Sequence, residues 1–177
     1  MSDKKILFVI DMQVDFVTGA LANDEAKKIV GNIVQKVKAY QEAGHHVFFT
    51  RDTHGEQYLE TQEGRLLPIE HCIQGTDGWQ IVEGLRQFAT ADNTLDKPAF
   101  GSLELPKWVY KKTDGDFDEM EFCGVCTDIC VISNAMVMKA AFPETTITVD
   151  SSCCAGVTVE SHQNALNAMA ACQMQIK

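Results

Sequence analysis

Asp11, Lys97 and Cys130 are the side chains of this sequence whose types suit acyl transfer: a carboxylate to take a proton, an ammonium to offset developing negative charge, and a thiol to attack a carbonyl. Each stands just after an apolar, β-rich run, Cys130 by way of a turn and a helix start. Singly, each also has a plain structural reading: Asp11 as a turn cap, Lys97 as a solvated loop lysine before Pro98, and Cys130 as a small buried apolar residue. A second constellation is Asp52-Thr53-His54 with Glu63 and His71. Asp52 and His54 are two apart, so on an extended segment both project to one side. Mixed imidazole and carboxylate ligands suit Zn²⁺, Mn²⁺ or Fe²⁺. The competing reading is a charged surface loop, because Glu56, Glu60 and Glu70 are equally available. Cys123, Cys126 and Cys130 partly echo a ferredoxin run, but Cys123 falls inside a strand and no fourth Cys or Pro completes the pattern, which sets cluster binding aside.

The elements that must position these groups follow from periodicity. Strands are expected over 6–10, 47–50, 94–96, 119–123, 145–149 and 172–176. Asn23-Asp24-Glu25 opens a helix whose apolar stripe is Ala26, Ile29, Val30, Ile33, Val34, Val37 and Tyr40, and Gly44 closes it. Further helical stretches are expected over 81–88, 128–141 and, begun by Thr158, 159–170, with a segment of no assigned type over 103–112. Residues 52–78 have turn residues and charges but weak periodicity and read as a long ordered loop, a length usually tied to function. Alternating strands and helices give right-handed crossovers and a parallel sheet covered on both faces, with the active site beyond the carboxyl ends of the strands. Asp11, Lys97 and Cys130 all pass that filter.

No repeat, low-complexity tract or linker divides the 177 residues, so one domain over 1–177 is expected; 45% hydrophobic residues suffice for a full core. A net charge of -10 argues against nucleic acid and anionic membrane as partners. The start could pass for a signal peptide, but its apolar run stops at Asp11 with no small-residue cleavage site. Seven cysteines, an odd number, fit free thiols in a cytoplasmic protein better than a disulfide framework. His45 and His46 precede a strand, at the wrong edge for chemistry, and His162 has no evident partner. The acidic run Asp114, Asp116, Asp118, Glu119 and Glu121 reads as a solvated turn. Met136, Val137 and Met138 read as core or subunit packing, and a homo-oligomer is expected.

Three segments, Asp11-Met12-Gln13-Val14-Asp15-Phe16, Lys97-Pro98-Ala99-Phe100-Gly101-Ser102 and Gly124-Val125-Cys126-Thr127-Asp128-Ile129-Cys130-Val131, resemble in order the signatures of the isochorismatase-like cysteine hydrolases, most closely the nicotinamidase/pyrazinamidase branch. The likeness runs to Ser151-Ser152-Cys153-Cys154-Ala155-Gly156. It implies a three-layer α/β/α fold with a six-stranded parallel sheet and an Asp-Lys-Cys triad of Asp11, Lys97 and Cys130. It also implies an oxyanion site at the backbone N–H groups of Cys126 and Cys130, with a cis peptide between Val125 and Cys126. A thiol at a helix N-terminus beside an ammonium is expected to favour the thiolate. Asp11 would take the thiol proton and pass it to departing ammonia, while Lys97 holds the carboxylate. The resemblance further implies one divalent metal, zinc first with manganese or iron as alternatives, on Asp52, His54, Glu63 and His71, and no organic cofactor. In the family the metal binds the pyridine nitrogen of a small amide substrate between aromatic walls, here Phe16 and Phe100. Nicotinamidases often carry a further His between the second and last ligands; this sequence has none there, and Glu63 stands in that role. The alternatives are an isochorismatase-like hydrolase acting on a carbamoyl or ureido group or on a vinyl ether, and a diverged non-catalytic binding member. The intact triad favours an enzyme, and the metal-ligand set favours the metal-using branch.

Overall fold

The computed structural model describes residues 4–177; residues 1–3, the head of the segment weighed above as a signal peptide, lie outside the described residues. Six strands, β1 (Lys5–Ile10), β2 (His46–Asp52), β3 (Thr94–Lys97), β4 (Glu119–Val125), β5 (Thr146–Ala155) and β6 (Gln175–Ile176), form one parallel sheet in the order β3-β2-β1-β4-β5-β6. Ile6 through Ile10 are fully buried, as a central strand covered on both faces must be. Helices α1 (Val14–Val17), α2 (Asp24–Glu42), α3 (Gln62–Leu66), α4 (Glu83–Arg86), α5 (Leu105–Thr113), α6 (Ile132–Ala141) and α7 (Val159–Ala171) complete a three-layer α/β/α fold. Right-handed crossovers put α2 and α4 together on one face, and α5, α6 and α7 on the other. No helix among the described residues is long and apolar enough to cross a membrane, and all seven cysteines are free.

The predicted α2 forms as its caps dictate. Asn23 accepts a hydrogen bond from the Glu25 N–H at 2.9 Å, Ala26, Ile29, Ile33 and Val37 face the core, and Gly44 follows the helix at φ +71°. Four expectations need correction. The 52–78 stretch is not without helix: it holds a 3₁₀ turn (Tyr58–Glu60) and α3, capped by Thr61, whose Oγ1 accepts the Gly64 N–H at 3.0 Å. The predicted helix over 128–141 begins instead as a π-type turn (Thr127–Val131), in which the Cys126 carbonyl accepts from both the Ile129 and Val131 N–H groups. The fifth strand does not stop at Val149. Asp150 Oδ1 accepts from the Ser152 N–H and hydroxyl, and the strand carries the irregularity and continues to Ala155. The last strand shrinks to Gln175–Ile176, because the Cys172 N–H still donates back into α7 and Gln173 turns the chain at φ +67°.

The acidic run is also not all solvated. Glu121 is buried on β4, where it meets Lys36, Tyr40 and Lys177, and Lys36 also lies 2.7 Å from Asp150. Burial opposes the charge of both carboxylates, but hydrogen bonds, led by those from Lys36, hold them below their ordinary values. For Lys36 too, burial is outweighed by the two carboxylates, which raise it above the ordinary lysine range. The carboxylate contribution to stability is therefore complete above the ordinary carboxylate range and fades as pH falls through the depressed values, while the Lys36 contribution is lost only at strongly alkaline pH. Lys36→Met, leaving Asp150 without its cation and Glu121 with only the half-exposed Lys177, is expected to cost about 3 kcal/mol near neutral pH. Denaturant melts should show that gap narrowing below pH ~4 as the carboxylates protonate; an equal gap at both pH values would contradict this reading.

Candidate active site

β1 and β4 lie side by side where the strand order reverses, the crevice in which α/β sheets bind ligands. Gly124, at φ +117°, permits the close pairing there: an added Cβ would stand 2.1 Å from the Ile10 carbonyl oxygen. Just beyond β1, Asp11 turns the chain at φ +48°, a left-handed conformation uncommon for any residue but glycine. Its Oδ1 accepts the Thr50 hydroxyl at 2.6 Å. Lys97 comes from the end of β3, two strands away, and reaches across β2 fully buried, so that its Nζ lies 2.6 Å from Asp11 Oδ2, 3.4 Å from Cys130 Sγ, 3.5 Å from Asp52 Oδ1 and 3.1 Å from the Ala99 carbonyl. Lys97 and Asp11 Oδ2 thus form an ion pair with no exposure to water.

Burial, then the Asp11 charge, push the Cys130 thiol well above its ordinary range, and Lys97 offsets this only in part. This upward push opposes the thiolate that the helix start and the neighbouring ammonium lead one to expect. Burial raises Asp11 as well, against the opposing pull of Lys97. Burial alone would lower Lys97, but Asp11, Cys130 and Asp52 outweigh it and keep the ammonium charged.

The second constellation converges too. Ligand atoms of Asp52, His54, Glu63 and His71 all lie within 4.8 Å of one another. His54 Nε2 is 2.9 Å from Asp52 Oδ2 and 3.6 Å from Glu63 Oε1, while His71 Nε2 is 3.6 Å from Asp52 Oδ2 and 3.8 Å from Glu63 Oε1. Four donors around a metal at bonds of ~2.1 Å stand roughly 3–3.5 Å apart, so this set fits a divalent ion with slight adjustment. His71 Nδ1 is 2.8 Å from the Ile69 carbonyl, which as acceptor leaves Nε2 free to act as a ligand. Burial opposes ionisation of Asp52, but the two histidines and Lys97 hold it well below the usual carboxylate range. Burial raises Glu63.

Both constellations open into one cavity of about 770 Å³, lined by Cys130, Cys126, Asp52, Glu63 and His71 together with apolar side chains that include Phe16, Phe100, Leu66, Ile129 and Val157. Phe16 meets His71 edge-on, with ring centroids 5.6 Å apart, and Phe100 stands half-exposed at the mouth. The Val125–Cys126 peptide is cis. His45 and His46 lie at the opposite end of the sheet, at the start of β2. His162 does have a partner, with Nδ1 2.7 Å from Thr127 Oγ1, because the helix after β5 returns over the π-type turn.

Sequence reasoning passed over two buried amides. Gln13 contacts the Asp52 backbone, and Asn134 Nδ2 donates to the Cys130 carbonyl at 2.8 Å and the Phe100 carbonyl at 2.9 Å while its Oδ1 accepts the Ser102 N–H at 3.0 Å. The available signal was a lone carboxamide in an apolar stretch, Asn134 among Ile132, Ala135 and Met138.

A parallel three-layer sheet with charged groups gathered at its central crevice is the Rossmann-like α/β class, and comparison with known proteins narrows it. The isochorismatase domain family matches residues 5–176. An uncharacterized isochorismatase family protein, PncA of Bacillus subtilis, is 30% identical over 142 residues, 75% of this chain and 77% of the relative. Among solved structures, nicotinamidase PncA of Bacillus subtilis is 28% identical with a TM-score of 0.83, covering 98% of each chain. The pyrazinamidase of Pyrococcus horikoshii in complex with zinc has a TM-score of 0.82 at 24% identity, again over 98% of each chain. The chain belongs to the isochorismatase family.

Proposed function

We propose that this chain is a cysteine amidohydrolase acting on nicotinamide or a similar small heteroaromatic amide, releasing the acid and ammonia. The observation that carries the reading is Lys97, whose one buried ammonium contacts Asp11, Cys130 and Asp52 and so joins the nucleophile and base to the His/carboxylate cluster. Similarity to solved nicotinamidase and nicotinamidase/pyrazinamidase structures supports the same substrate class.

Asp11 takes the Cys130 proton as sulfur attacks the carboxamide carbon, and the N–H groups of Cys126 and Cys130 donate to the resulting oxyanion. The proton then passes from Asp11 to the amide nitrogen, the C–N bond breaks, and ammonia leaves a thioester on Cys130. Water, deprotonated by Asp11, attacks the thioester and returns the thiol. Lys97 keeps Asp11 oriented and offsets the negative charge that moves between carboxylate and sulfur. Asp52, His54, Glu63 and His71 would hold a divalent metal that, when bound, supplies a Lewis-acid contact for a ring nitrogen. Phe16 and Phe100 would flank the ring.

Metal-loaded protein should hydrolyse nicotinamide and pyrazinamide faster than benzamide, which has the same shape without the ring nitrogen, by roughly 100-fold, since misplacing a reacting carbon by about 1 Å has that effect. Chelation should remove the preference mainly through KM. Ammonia release measured for all three amides checks this. Equal rates on nicotinamide and benzamide would refute anchoring through the ring nitrogen, and no ammonia from any would move the activity to a carbamoyl or ureido substrate.

A further inference from the structure

One short segment ties the triad to the His/carboxylate cluster. The β1–β2 pairing ends at Val9 and Phe49, and Asp11, at φ +48°, then turns the chain away from β2. Beyond that turn the backbone of Asp52, at the end of β2, has no strand on its β1 side. Gln13 takes the strand's place. Its fully buried carboxamide accepts the Asp52 N–H at 2.7 Å through Oε1 and donates through Nε2 to the Asp52 carbonyl at 2.8 Å and the Trp79 carbonyl at 2.9 Å. Two residues on, Asp15 Oδ2 accepts the N–H of Cys72 at 2.7 Å, and its Oδ1 accepts that of Ala20 at 3.1 Å. Cys72 adopts φ +48° and directly follows His71. Alternate residues of the segment thus contribute the base, a grip on one member of the cluster and a grip beside another.

We propose that Gln13 and Asp15 are positioning residues that fix Asp52 and His71 relative to Asp11, setting the spacing between the metal ligands and the triad. The inference rests on the metal-site reading above. Backbone grips of this kind orient ligands as side-chain partners outside the ligand set do, and loss of such partners weakens metal binding by about 10–100-fold. Gln13→Glu keeps the shape but sets a carboxylate against two buried carbonyls, and Asp15→Asn loses one of two acceptors for backbone N–H groups.

The test is the Zn²⁺ dissociation constant of wild type and both variants, by competition with a chromophoric chelator, on protein whose melting curve shows it folded. The expected result is binding weakened 10–100-fold in Gln13→Glu and weakened in the same sense in Asp15→Asn. Should Gln13→Glu fail to fold, Asp15→Asn, at a half-buried position, decides the question. Folded variants that bind Zn²⁺ as tightly as wild type overturn the inference, whereas a wild type that binds no Zn²⁺ overturns the metal reading itself.

Discussion

Cys130→Ala is expected to stop ammonia release, a loss of about 10⁴-fold or more, while the melting temperature changes little. The side chain is buried at the floor of the cavity, where a methyl group fills nearly the same space as a thiol and makes no ion pair of its own. Burial and Asp11 push its thiol upward, so attack is expected to be coupled to proton transfer to Asp11. Cys126 is the informative control. Its thiol lines the same cavity and is pushed up to about 12 by burial, with no cation beside it. Cys126→Ala should keep most of the activity, since the proposal uses its backbone N–H. Ammonia-release kinetics on both variants check the assignment. Loss in Cys126→Ala with retention in Cys130→Ala would reverse it.

Asp11→Asn and Lys97→Met should each lower kcat by orders of magnitude, and the double variant should fall little below the worse single. Groups that act as a unit are non-additive, and these two share one ion pair at 2.6 Å with no exposure to water. Stability should behave differently. Removing Lys97 alone leaves Asp11 and Asp52 facing each other in a buried site, at about 3–5 kcal/mol, and adding Asp11→Asn should restore part of that by deleting one of the charges. Kinetics and denaturant melts on the three proteins test both statements. Additive losses in rate would indicate independent roles in binding.

Much of this site was legible because its residues sit at strand ends. The β-rich runs ending before Asp11, Asp52 and Lys97 located those three side chains without any knowledge of strand order, and the parallel α/β rule carried them to one edge. What remained hidden depends on contacts between distant segments. The reach of Lys97 across β2 is a tertiary fact, and so is the pairing of Glu121 with Lys36, which turned an expected solvated turn into a buried network. The upward shift of the Cys130 thiol was hidden for a similar reason: helix position can be read along the chain, whereas burial of the sulfur cannot. Gln13 lay within a recognised segment, but its contact with the Asp52 backbone depends on where β1 turns away from β2, which the sequence does not show.

The proposed chemistry stands on a covalent bond at one sulfur, and that bond can be measured directly. Metal-loaded protein mixed with nicotinamide in single turnover, quenched in acid and digested, should yield the peptide containing Cys130 with a nicotinoyl group attached as a thioester, and the peptide should be unmodified in Asp11→Asn. Ammonia released without any acyl group on Cys130, or with the acyl group on Cys126, would contradict the account.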